Sequence, residues 1–157
     1  MKKILLLIAL MSGAMFGCSD SPKGTPTERA TTLIRERHLS SANIERLDTV
    51  LGYKDVFSMR MTALRLKWSA DSILLNQRSQ KRFLNAKERE DVSGLSNSIS
   101  ALERDAAKQE LQYSFEKKNK EMVGLCCAFA DSLTGKIIVV YFDPDVKEIK
   151  GISRNIE

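Results

Sequence analysis

A chain of 157 residues, 43% hydrophobic and 29% charged, is long enough to bury the core of one domain. Its formal charge of +5 is mildly basic and too weak to argue for nucleic acid as a partner. A single histidine excludes a two-histidine zinc site, and no Cys-x-x-Cys, His-Glu-x-x-His, Gly-x-Ser-x-Gly or phosphate-cradling glycine loop occurs.

Lys2 and Lys3 precede an unbroken apolar run, Ile4 to Met11, and then the small residues Ser12, Gly13 and Ala14. That order is the order of a bacterial secretion signal. The run is shorter than the roughly 20 apolar residues that a bilayer span needs. Met15-Phe16-Gly17-Cys18 resembles the lipobox of bacterial lipoproteins. Gly17 and Cys18 match, Met15 supplies the apolar first position, and Phe16 stands where a small residue is usual. The resemblance implies cleavage before Cys18 and acylation of its thiol. Two or three acyl chains anchor a protein stably, whereas one holds only marginally. It also implies a lipid-anchored location in the cell envelope, and Ser19, not being Asp, implies passage to the outer membrane. The alternative is an ordinary signal peptide cut after Ala14, because Ser12-x-Ala14 also fits. Without its first 17 residues the chain keeps 140 residues and a charge of +3. The expected organisation is a signal peptide over 1–17, a polar tether over 18–25 and a single domain over 26–157. The tether carries Pro22 and Gly24 and nothing apolar to bury.

Thr25-Pro26-Thr27-Glu28 predicts a helix start: Thr25 caps, Pro26 suits the first turn, and Glu28 reaches back. The helix is expected to run to about His38, which stands near its C-terminal end. Ile44 to Leu51 predicts a strand, since Leu47, Thr49 and Leu51 alternate, with a helix as the alternative that its Glu and Arg content would suit. Val56 to about Lys87 predicts a helix on the stripe Phe57, Met61, Leu64, Trp68 and Leu75. From Asn76 to Glu90 the chain is polar, with Phe83 and Leu84 its only large apolar residues, and there the first helix is expected to bend, end or run solvated. A second helix to Lys117 follows from Val92, Leu95, Ile99, Leu102 and Ala106, with the break between the two expected near Asp91–Gly94. The two stripes suit an antiparallel hairpin; the alternative is that each packs on a sheet.

Met122 to Ala130 and Lys136 to Phe142 are apolar, β-branched and aromatic, joined by Leu133-Thr134-Gly135. They predict a β-hairpin. Val123, Leu125, Cys127 and Phe129 share one face, and the small residues Gly124, Cys126, Ala128 and Ala130 share the other, where a helix can approach closely. Both faces are therefore expected to be buried or nearly so. Asp143-Pro144-Asp145 is read as a turn in preference to a metal site. Val146 to Ile152 is expected to return as a last strand. The fold class is α+β: an N-terminal helix, a long helical hairpin and a small antiparallel sheet ending in a C-terminal β-hairpin.

This arrangement is similar to small envelope lipoproteins common in Bacteroides-like bacteria. The similarity rests on the Cys18 signal, the strand Ile44 to Val50 opening into Tyr53-Lys54-Asp55 and a long helix, and the hairpin ending Tyr141 to Asp145 and Ile149 to Ile152. It implies a compact α+β domain and no particular activity. The expected function is a lipid-anchored binding or accessory module, with an envelope protein, peptide or glycan as partner and no cofactor, metal or nucleic acid. Paired acids such as Asp143 and Asp145, or Glu88 and Glu90, are too common on surfaces to mean glycoside chemistry. The alternative is a secreted enzyme, or a thiol-redox protein using Cys126 and Cys127. Adjacent strand residues point to opposite faces, so this pair cannot bond without a strained local turn. No Lys, Arg or His flanks it to favour a thiolate.

Overall fold

The computed structural model describes residues 23–40, 43–131 and 135–154. Cys18, the signal segment, most of the tether, and Leu133 and Thr134 of the hairpin turn lie outside the described residues. Helix α1 spans Pro26–Glu36. Its start is the capping box that the sequence predicts. The Glu28 amide donates to Thr25 Oγ1 at 3.3 Å, and the Thr25 amide donates to Glu28 Oε2 at 2.7 Å. The helix stops short of His38. Arg37 is its C-cap, and His38 takes a left-handed φ of 54° just beyond it.

Strand β1 spans Asp48–Gly52, shorter than the Ile44–Leu51 expected. The buried Thr31 hydroxyl accepts the Ile44 amide at 2.9 Å. That bond holds the chain before β1 against α1, and Ile44 and Leu47 pack on the core from there.

Helix α2 spans Lys54–Ser79 and helix α3 spans Ala86–Phe115. They run antiparallel: Asp55 meets Tyr113, and Arg60 pairs with Glu110. The break lies at 80–85, not near Asp91–Gly94. Asn85 caps α3 in a second capping box with Glu88, whose amide donates to Asn85 Oδ1 at 2.8 Å. Gly94 lies inside α3 with open space around it, so the helix tolerates it.

Strands β2 (Glu121–Ala130), β3 (Ile137–Phe142) and β4 (Ile149–Arg154) complete one antiparallel sheet in the order β1-β2-β3-β4. Gly135 at the end of the β2–β3 turn takes φ 68°, a conformation that suits glycine. The α+β class and the C-terminal strand pair are as expected. The last strand starts three residues later than Val146, because Asp143 to Glu148 form a turn. Asp143 Oδ1 accepts the amides of Lys147 and Glu148, both at 2.7 Å. Val146, at φ 53°, drives its side chain into the core, where it is 1% exposed.

One sheet face carries Leu125, Cys127 and Phe129 of β2 with Ile138, Val140 and Phe142 of β3, and α1 seals it with Ala30 and Ile34. Full burial of a side chain such as Ile34 contributes about 2–3 kcal/mol. The opposite face meets α2. Phe57 lies on Gly124, and Met61 and Leu64 lie on Gly151. A Cβ at Gly124 would stand 2.4 Å from the Phe142 carbonyl oxygen, and one at Gly151 would stand 2.9 Å from Met61 Sδ. The close helix approach inferred from small residues is thus present, but it covers only part of that face. Ala128 and Ala130 are exposed, so β2 is not buried on both sides along its length.

The α2 stripe therefore faces the sheet, and Trp68 ends it with the Arg154 guanidinium stacked 4.3 Å from its ring. The helix–helix contact uses other residues: Tyr53, Val56 and Met59 against Ala106 and Tyr113. Past Trp68, α2 continues about 16 Å beyond the sheet. No side chain from Leu64 to Asp105 is fully buried. The distal halves of α2 and α3 form a two-helix arm standing off the sheet.

Candidate functional site

Cys18 lies outside the described residues. Cys126 and Cys127 are both free thiols, on opposite faces of β2 as their adjacency requires. Cys127 sits in the core beneath α1. Burial pushes its thiol up to about 12, with Cys126 and Asp48 adding to the rise. Cys126 is half-buried opposite Asp48 and Tyr141. Burial, then the Asp48 carboxylate, raises its thiol too. Both sulfurs are protonated at neutral pH, whereas thiol nucleophiles act as thiolates.

The acids singled out in the sequence have structural partners. Asp143 closes its turn, and Asp145 makes an exposed ion pair with Lys147 at 3.0 Å. Such pairs contribute at most about 1 kcal/mol. Among the described residues, no three His, Cys, Asp or Glu side chains gather to hold a metal ion. No described helix is long and apolar enough to cross a membrane.

The concave surface lies where sequence reading placed nothing. The sheet register shifts twice, between Val50 and Leu51 and between Tyr141 and Phe142. At each shift the partner strand carries one extra residue, Val123 in β2 and Lys150 in β4. A bulge of this kind re-aims a side chain. Both extra residues line a cleft of about 410 Å³ against the first turns of α2. Phe57, Met61 and Pro144 give it an apolar lining, and Lys54 and Arg65 give it cations. The Lys150 ammonium pairs with Glu148.

No known family, curated protein or solved structure matches this chain.

Past Lys54 and Ser58 the surface continues into a second hollow beside Tyr53 and Lys118. A polar clasp fixes this end of the hairpin. Tyr113 donates its hydroxyl to Asp55, and Gln109 Nε2 donates to Asp55 at 3.1 Å and to the Tyr113 oxygen at 2.7 Å. Tyr53 stacks on Tyr113 with centroids 4.8 Å apart, and the Lys118 ammonium lies 3.8 Å above the Tyr113 ring. The Tyr113 hydrogen bond leads in holding the Asp55 carboxyl below its ordinary value. The clasp is fully engaged in joining α2 to α3. A third hollow, of about 490 Å³, opens between α2 and the sheet, lined by Arg60 and Lys67 of α2, Glu103 of α3, and Val50, Tyr141 and Ser153 of the strands.

Among the described residues the arm tip is the most exposed apolar feature, at the Phe83 that stands out as one of two large apolar residues in the polar stretch Asn76 to Glu90. Phe83 is 94% exposed. The loop beneath it is tightly built. The Arg82 guanidinium grips Glu88 through two bonds of 2.6 and 2.5 Å, and it also donates to the Phe83 carbonyl oxygen at 3.2 Å. The Gln77 side-chain amide donates to the Arg82 carbonyl. A further signal was Asn85-x-x-Glu88, a capping-box pattern inside a polar stretch.

Proposed function

We propose that the protein is a lipid-anchored binding or accessory module of the cell envelope, held at the outer membrane by acyl chains on Cys18. The observation that carries the binding role is the two-helix arm, which stands off the sheet without one fully buried side chain from Leu64 to Asp105. A projection of that kind contributes little core and much surface. The cleft against the first turns of α2 supports the same role, because it pairs apolar lining with charged side chains of both signs. The lipoprotein part rests on the Cys18 segment and on its similarity to Bacteroides-type envelope lipoproteins. The first helix begins at the Thr25 capping box, which leaves Cys18 and the polar tract ahead of the domain. In this reading the protein recruits an envelope protein, peptide or glycan and performs no chemistry of its own.

Mass spectrometry of the mature N-terminus tests the anchor. The expected product starts at an acylated Cys18 and fractionates with membranes, and Cys18→Ala abolishes both. A freely soluble product cut after Ala14 and lacking fatty acid overturns it. Capture of one stable envelope partner by the wild-type chain, lost when the arm is altered, is the result expected for the binding role. Substrate turnover by the purified domain is the result that overturns it.

A further inference from the structure

We propose that the tip of the helical arm is a second membrane contact, which docks on an anionic lipid surface through Phe83. The proposal extends the binding-module reading, but it does not depend on acylation of Cys18. Three observations carry it. First, the Arg82–Glu88 fork and the bond to the Phe83 carbonyl pin the loop, so the ring is presented outward at 94% exposure. Secondly, the flanking charge is mostly positive. Arg78, Lys81, Lys87 and Arg89, all within six residues of Phe83 in the chain, are exposed, while Arg82 is satisfied by Glu88. Residues 78–89 thus hold five cations against one carboxylate. Glu90 and Asp91 follow about a turn above the start of α3. Thirdly, the loop at 80–85 ends the arm, far along α2 from the sheet contacts of Phe57, Met61 and Leu64.

An exposed aromatic ring flanked in the chain by Lys and Arg matches the headgroup boundary of an anionic bilayer. The ring partitions among the acyl chains, and the cations meet the lipid phosphates. The opposite end of α3 offers a comparison within the same molecule. Phe115 is also exposed there, at 79%, but Lys117, Lys118 and Lys120 are balanced by Glu116 and Glu121 to a net +1. The Lys118 ammonium is moreover engaged on the Tyr113 ring. Charge complementarity therefore selects the tip.

The test is vesicle co-sedimentation of the mature chain, residues 18–157, carrying Cys18→Ser so that no acyl group contributes. Every interaction described in the fold lies within 23–154, so this chain retains all of them. The expected result is sedimentation with phosphatidylglycerol-rich vesicles, none with pure phosphatidylcholine, and weakening as salt rises. Phe83→Ser is expected to lower affinity about tenfold. Arg78→Gln and Lys81→Gln are each expected to lower it roughly fivefold. Phe115→Ser is expected to change nothing. Thermal unfolding should be unaltered in all four variants, because each side chain is exposed. Failure to sediment with anionic vesicles overturns the proposal. So does binding that ignores the tip variants or that falls equally with Phe115→Ser. Equal binding to soluble polyglutamate, indifferent to Phe83→Ser, overturns it in favour of an acidic polymer. Because the acyl group is absent, loss here is distinguishable from failure of the Cys18 anchor, which is read by mass.

Discussion

Gly124 and Gly94 are the same residue type under opposite constraints. Gly124 has the Phe142 carbonyl oxygen and the Phe57 ring where a Cβ would go, whereas Gly94 has nothing within 4 Å. Gly124→Ala is expected to cost about 3 kcal/mol, because backbone cannot step aside. Gly94→Ala is expected to add about 0.5–1 kcal/mol, since it only removes glycine's helix penalty. Urea unfolding of the two variants measures both. Glu88 gives a pH signature. Its hydrogen bond with Arg82 leads in holding the carboxyl at about 2, below the ordinary 4.5. A carboxylate more acidic in the folded state stabilises the fold above the unfolded value, and that contribution fades as pH falls from about 4.5 through about 2. Glu88→Gln is therefore expected to loosen the arm at neutral pH and to flatten its acid response across that window. Hydrogen exchange at the amides of 80–90, followed against pH, reads this directly. The two cysteines show what the chain discloses at this scale. Their opposite facing followed from adjacency alone. The rise of Cys127 to about 12 did not, because it needs the burial supplied by α1.

At the scale of elements, strong local signals agreed with the outcome. The α1 cap was written in Thr25 to Glu28, and the β2–β3 pair was written in two β-branched runs around Gly135. The helix break was legible only coarsely: the polar stretch Asn76 to Glu90 allowed a bend or an end without fixing where. The apolar stripe lapses between Leu75 and Val92, so periodicity had nothing to follow there, and the serines and Gly94 imitated an interruption. The capping box of Asn85 and Glu88 is what starts α3. Asn85→Ala removes it and is expected to destabilise the arm by about 1 kcal/mol. Faster exchange in the first turns of α3, with the sheet amides unchanged, is the expected observation. The role of each stripe was also hidden. α2 carries two apolar faces, one for the sheet and one for α3, and a single period cannot describe both. The cleft was invisible for a related reason. It depends on two one-residue register shifts, and pairing partners, not the residues alone, determine where those fall.

For the whole molecule, stability is expected to be uneven. The core joins α1 to the sheet, whereas the arm has only half-buried contacts. Regions with few buried apolar contacts open first. Native-state exchange is therefore expected to release the distal arm well below the free energy that releases β2 and β3, and equal protection throughout would contradict this architecture. The clasp also has a bearing on how the chain assembles. All of 53–120 is interposed between β1 and β2, which must still pair edge to edge. Tyr53 reaches the Lys118 carbonyl at 3.2 Å, so the hairpin returns its two ends to one place. Closing a loop across that span is entropically slow for a free coil, but a helical hairpin forms from local contacts and delivers the strands ready to zip. The helical excursion is in effect a cassette. Its length can be cut or extended by matched turns while the platform that receives it stays the same.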